Sequence, residues 1–262
     1  MTKSTDIRIA NVSIDTERIA YRTAMKFGGR VVHEVTLFHV NVEVETRDGK
    51  RGAGLGSMPM GNAWGWPSPV LSGDQTLDAM VELSRVFSEA AGACNEWGHP
   101  LELTTLLSAE HDAAAKQVTQ SLAEPMPQLA QLVCASPIEA AIHDAYGQAH
   151  QRNSYDLLGP EWVNSDLAQY LDDSFKGEYL EQYTLRKPKA TMPIYHLVGA
   201  LDPLTSGELT DRLDDGLPET LGEWILADGL THLKIKLAGD DVDWDVARVI
   251  GIDAAAAIAQ QS

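Results

Sequence analysis

The chain has 262 residues, 44% of them hydrophobic and 22% charged, an ordinary globular composition with length for one large domain or two modest ones. Its net charge of −18 and isoelectric point near 4.7 argue against a nucleic-acid surface or an anionic membrane as partner. The first residues, Met1 to Asp6, lack an apolar stretch, no long apolar run follows, and Cys94 and Cys134 lack metal-ligand spacing, so a cytoplasmic protein with two free thiols is expected.

Residues 6–57 read as antiparallel β-structure. Ile7 to Ile14 is a short alternating run, and Val31 to Thr46 a longer one with Phe38, Val40, Val42 and Val44 on one face. Asp48-Gly49 predicts a hairpin turn, from which the chain returns through Lys50 to Ser57. Gly28-Gly29 and Gly52, Gly54 and Gly56 lack the following helix and lysine of a phosphate loop, and are ascribed to turns and bulges. A loop rich in Met, Gly, Pro and Trp is expected over residues 58–67.

Residues 74–158 become helical. One helix is expected from Asp74 to Ala91 and another from Leu101 to Leu122. A third is predicted to start at Ser136, with serine as N-cap, Pro137 at the first helical position and Glu139 completing a capping box. Ile138, Ala141, Ile142 and Ala145 then supply its apolar stripe. The cap position accounts for Ser136, around which no nucleophile elbow is found. His143 lies four residues after Glu139 and seven before His150, but no third ligand is spaced to join them, so an ordinary helix-surface role is expected and no metal ligand is assigned.

From about Met192 strand and helix alternate: Pro193 to Val198 a strand, Leu221 to Asp228 a helix, His232 to Leu237 a strand, Val242 to Gln260 a helix. This order predicts parallel pairing with right-handed crossovers. Two such units cannot close a barrel, which takes about 200 residues or more. An exposed edge of this kind would favour association, a homo-oligomer included.

The most informative segment is Thr231 to Leu237. Side chains alternate along a strand, so Lys234 and Lys236 share one face and Leu233, Ile235 and Leu237 the other. The two ammonium groups are expected roughly 6–7 Å apart. Their repulsion in a confined site favours a neutral amine on one of them, which makes a usable base near neutral pH. Asp240, Asp241, Asp243 and Asp245, just beyond, read as a loop and first helical turn whose acids suit the helix dipole.

Three pieces in this order resemble the mandelate racemase/muconate lactonizing group of the enolase superfamily. They are the Asp48-Gly49 hairpin returning through Gly52-Ala53-Gly54-Leu55-Gly56, the helix Ser136 to Ala145 leading to Leu157-Leu158-Gly159, and the Lys-x-Lys strand. The resemblance implies an α+β capping domain, placed at residues 1–160, followed at 161–262 by a linker and the first two βα units of an incomplete (β/α)7β TIM-like barrel. It implies Mg²⁺, bound by three carboxylates at the ends of the third to fifth barrel strands. The third strand is expected just beyond Ser262, so those ligands are absent from this chain. It also implies a small carboxylate substrate, such as a hydroxy or sugar acid, that loses its α-proton in racemisation, epimerisation, dehydration or cycloisomerisation. Lys236 matches the usual base and Lys234 its tuning partner. The loops near Tyr21–Gly29 and Met58–Trp66 match two that close such sites, with Met58, Met60, Trp64 and Trp66 an apolar lid and Lys26 meeting an anionic substrate. His196, in the first barrel strand with Tyr195 and Leu197 facing the other way, is expected to point toward the lysines. The alternative is a catalytically inactive chain that serves as an assembly or interaction module.

Overall fold

A computed structural model describes residues 3–27 and 30–260. The chain divides into two compact units, one of Met1–Ile19 with Val35–Pro188, the other of Ala20–Glu34 with Lys189–Ser262.

The first unit is built on a three-stranded sheet in the order β1 (Ile7–Phe27), β2 (Arg30–Thr46), β3 (Arg51–Pro59). β1 runs thirteen residues past the expected end at Ile14, through the segment read as a loop; pairing with β2 holds Asp15 to Tyr21 extended although no apolar alternation marks it. Gly28 and Gly29 lie outside the described residues. The turn between β2 and β3 closes as expected, with Thr46 N–H donating to Lys50 O at 2.9 Å and Gly49 at φ +86°, a conformation that favours glycine.

The segment after β3 contains a short helix, α1 (Asn62–Gly65), and the helices α2 (Gly73–Ala93), α3 (Pro100–Ser108), α4 (His111–Val118) and α5 (Gln128–His150) follow. α2 opens on a capping box of Ser72 and Gln75. The single helix expected over 101–122 is two, because Leu103 and Ala115 are both buried. At 100° per residue a straight helix would turn them to different sides.

The start of α5 also differs from expectation. The helix begins at Gln128, so Ser136 and Pro137 are interior, and Ser136 Oγ donates to Leu132 O at 2.8 Å instead of capping. Burial of Ala130, Val133 and Cys134 on the earlier turns offsets the hydrogen bond that Pro137 cannot make. Gly52, Gly54 and Gly56 are neither turns nor bulges: they pair in register with Val44, Val42 and Val40 and lie directly under α5. A Cβ on Gly54 would collide with the backbone of Ala141 and Ala145, and one on Gly56 with that of Pro137. Glycines on the strand and alanines on the helix let the two backbones meet. Asp144 on α5 then accepts the Leu55 N–H of β3 at 2.9 Å.

The second unit holds β4 (His196–Val198), α6 (Leu221–Asp228), β5 (Leu233–Ile235) and α7 (Val242–Ala259). β4 and β5 pair in parallel, as expected, with His196 opposite Leu233, Leu197 opposite Lys234 and Val198 opposite Ile235. Both helices follow their sequence signals closely. α6 opens on a Thr220–Glu223 capping box and ends at Gly229 with φ +60°, and Asp241 caps α7 by accepting from the N–H groups of Asp243 and Trp244. Val198, Leu204, Leu221, Ile225 and Ile252 make the core between strands and helices. Two βα units and no closed barrel are present among the described residues. None of the described helices is long and apolar enough to cross a membrane.

Candidate active site

The lysine strand is positioned by its hydrophobic face. Leu233 and Ile235 pack against the core of the second unit, which turns Lys234 and Lys236 to the opposite side. Lys236 N–H donates to Val198 O at 2.9 Å, so backbone pairing extends to the second lysine. Lys234 is exposed and its ammonium lies 5.2 Å from the centre of the Tyr195 ring. Lys236 is half-buried, with its ammonium 2.9 Å above the centre of the Phe27 ring. Burial and the neighbouring Lys234 charge lower the pKa of Lys236, in that order of effect. The Phe27 ring face, by favouring the cation, works against that shift.

The end of β1 packs in this same unit. Arg22 forks onto Asp215 at 2.6 and 2.8 Å and reaches Pro218 O at 3.1 Å, and the arginine holds the Asp215 carboxyl down at about 2. Lys26 pairs with Asp240 at 2.7 Å and lowers that carboxyl too. A cavity of about 280 Å³ lies between residues 21–26, the β4 edge with its following loop, the start of α6, and Lys236. Asp245 accepts from the Ala238 and Gly239 N–H groups, so Asp240, Asp241 and Asp245 all have structural partners, as the loop-and-helix-start reading expects.

His196 lines the same cavity as Lys236, but its strand face is not that of the lysines. Paired residues of a parallel ladder share a face, so His196 sides with Leu233, and its ring lies 5.3 Å from that of Trp224 on α6. Tyr195 and Leu197 take the lysine side; alternation held along the strand, but the parallel register set which face met the lysines. Trp66 is likewise corrected as an exposed lid residue: it is 2% exposed in the core of the first unit and donates its indole N–H to Glu124 Oε1 at 2.8 Å. The α1 turn rotates it inward and leaves Trp64, 38% exposed, at the surface. Met58 is half-buried against that core, and Met60 is inside it.

Sequence reasoning missed Phe27, Trp224 and Asp215, which holds Arg22, and it placed Asp240 in the loop after the lysine strand without pairing it with Lys26. Only the predicted loop at 21–29 pointed toward Phe27; nothing local marks Asp215, almost two hundred residues from its arginine. Among the described residues no group of three or more His, Cys, Asp or Glu is arranged to hold a metal, so the donors present do not fit the Mg²⁺ that the resemblance implies.

The fold is that of an α+β domain followed by the opening βα units of a barrel, and it is shared with enolase-superfamily structures. One is an enolase from Bradyrhizobium complexed with magnesium and mandelic acid, at 15% identity and a TM-score of 0.52, covering 97% of this chain and 52% of its own. Another is the L-Ala-D/L-Glu epimerase from Bacillus subtilis, at 16% identity and 0.51, covering 95% and 50%. A mandelate racemase/muconate lactonizing enzyme-like protein from Rubrobacter xylanophilus gives 15% and 0.51, with 95% and 50% covered. The chain thus spans about half the length of the solved structures it matches. No family model and no curated protein matches the sequence.

Proposed function

We propose that the second unit supplies the base of an enolase-superfamily site that removes a proton α to a carboxylate. Lys236 is the base: as the free amine, its Nζ takes the α-proton and becomes the ammonium. Lys234 lowers the pKa of Lys236 and offsets negative charge as it develops on the substrate. Arg22 and Lys26, through Asp215 and Asp240, anchor the end of β1 beside the cavity, so that Lys26 acts as a positioning residue. The observation that supports this reading best is Lys236 itself, half-buried at the cavity with its pKa lowered by burial and by Lys234. Because the described residues offer no fitting donor set, no step is assigned to Mg²⁺.

The test is exchange of substrate α-protons with solvent deuterium, followed by NMR over a panel of α-hydroxy and α-amino carboxylates with Mg²⁺ present. Exchange is expected with the native chain and its loss, by about a hundredfold or more, in Lys236→Ala. In Lys234→Ala the rise with pH should move to higher pH, since removing the neighbouring charge raises the pKa of Lys236. Exchange that survives Lys236→Ala would remove the base assignment. No exchange with the native chain would favour the assembly-module alternative.

A further inference from the structure

The charges around the cavity in the second unit are not equally available. Arg22 is taken by Asp215 and Lys26 by Asp240. The Asp202 carboxylate accepts the Gly199 N–H at 2.7 Å, and Glu219 accepts from the N–H groups of Leu213 and Asp214 at 3.0 and 3.2 Å. Thr220 Oγ1 caps α6. Among the described residues this leaves the basic side chains His196 and Lys236 of the lining with no carboxylate partner, and Lys236 is backed by Lys234 on the same strand face, so the pair keeps a positive charge when Lys236 is the free amine. Most of the remaining wall is apolar, with Ala24, Met25, Leu197, Pro203, Leu221 and the Trp224 ring, and Tyr21, Thr23 and His196 are its further polar side chains.

From this we infer that the site takes a carboxylate with a single negative charge and an apolar or aromatic body, in preference to a polyhydroxylated or doubly charged acid. The inference rests on the proposed proton-abstraction reading for the position of the reacting group, and goes beyond it in choosing among substrate classes. The lysine pair carries at least one positive charge, which favours one anionic group near it. A second carboxylate would meet Asp202 and Glu219 with no free cation to balance it. A polyol would surrender hydrogen bonds to water against walls that return few, whereas an apolar chain or ring gains by leaving water there. At about 280 Å³ the cavity falls just below the usual range for small-molecule pockets, which suits a compact acid.

The experiment is ligand-observed NMR binding to the full chain, without added metal, using 3-phenylpropionate, its neutral amide and galactarate. The expected order is 3-phenylpropionate first, the amide about tenfold weaker, and galactarate weaker than both. Trp224→Ala should weaken 3-phenylpropionate and amide alike by about tenfold, and Met25→Asp, on a different element, should do the same if the first variant folds poorly. The double variant Lys234→Met with Lys236→Met should erase the preference for acid over amide. Galactarate binding as well as 3-phenylpropionate, no binding of 3-phenylpropionate, or an acid preference that survives the double variant would each overturn the inference. Binding needs neither metal nor turnover. A chain that binds 3-phenylpropionate but exchanges no α-proton therefore keeps this inference and loses the proposed function; one that exchanges the α-protons of galactarate without binding 3-phenylpropionate does the reverse.

Discussion

Burial acts on His99 of the first unit more strongly than on any lysine. Its ring is fully buried, Nδ1 accepts the Leu101 N–H at 3.2 Å as the cap of α3, and Nε2–H donates to Leu157 O at 2.9 Å. Burial first, then the nearby His143, push its pKa down to about 3. Protonating Nδ1 would set two donors against each other at the cap. A depressed histidine is neutral when folded and takes up a proton on unfolding, so its contribution is fully present above the unfolded value near 6.5 and is lost as pH falls toward 3. His99→Asn keeps a cap acceptor and removes the titration. Urea unfolding at pH 7 and pH 5 should show a fall in stability about 2 kcal/mol larger for the native chain than for His99→Asn. Equal falls would mean that His99 is not neutral in the folded chain.

β3 and α5 form the tightest joint in the first unit. Gly54 leaves no room for a methyl group between β3 and the backbone of Ala141 and Ala145, and backbone cannot swing aside as a flexible side chain can. Gly54→Ala should therefore cost about 3 kcal/mol, near the upper end for overpacking, and lower the melting temperature by about 10 °C. Ala53→Ser, on the exposed face of the same strand, should change it little. A melting temperature unmoved by Gly54→Ala would show that strand and helix are not in backbone contact.

The two units differ in how much each buries. The first has a continuous core running from Phe38, Val40 and Val42 through Met80 and Leu83 to Ile138 and Ile142. The second rests on the small cluster around Val198, Leu221, Ile225 and Ile252, with strands of three residues. Val242, Val246 and Ile250 stand on one side of α7 at four-residue spacing, 78%, 54% and 63% exposed. A short two-stranded parallel sheet has little burial to offset its ordering entropy. Hydrogen exchange followed by mass spectrometry should find amides of β4, β5 and α7 exchanging at least about tenfold faster than those of β2 and α5. Uniform protection across both units would contradict this.

Local chemistry was legible wherever one side chain or one period sufficed. The Asp48-Gly49 turn, the valine face of β2, the spans of α6 and α7, and the Lys-x-Lys alternation all depend on neighbours within a few residues, so they could be read from the chain alone. Ser136-Pro137 imitated a helix start for the same reason, since local signals do not register the burial that carries α5 back to Gln128. The facing of His196 depended on the register of β4 against β5, and the inward turn of Trp66 on a core assembled from distant segments. The partners of Arg22 and Lys26 come from residues about two hundred positions away, and the depressed pKa of Lys236 from burial that only packing provides. Periodicity and capping propagate along a chain; register, burial and long-range ion pairs exist only once separate segments have met.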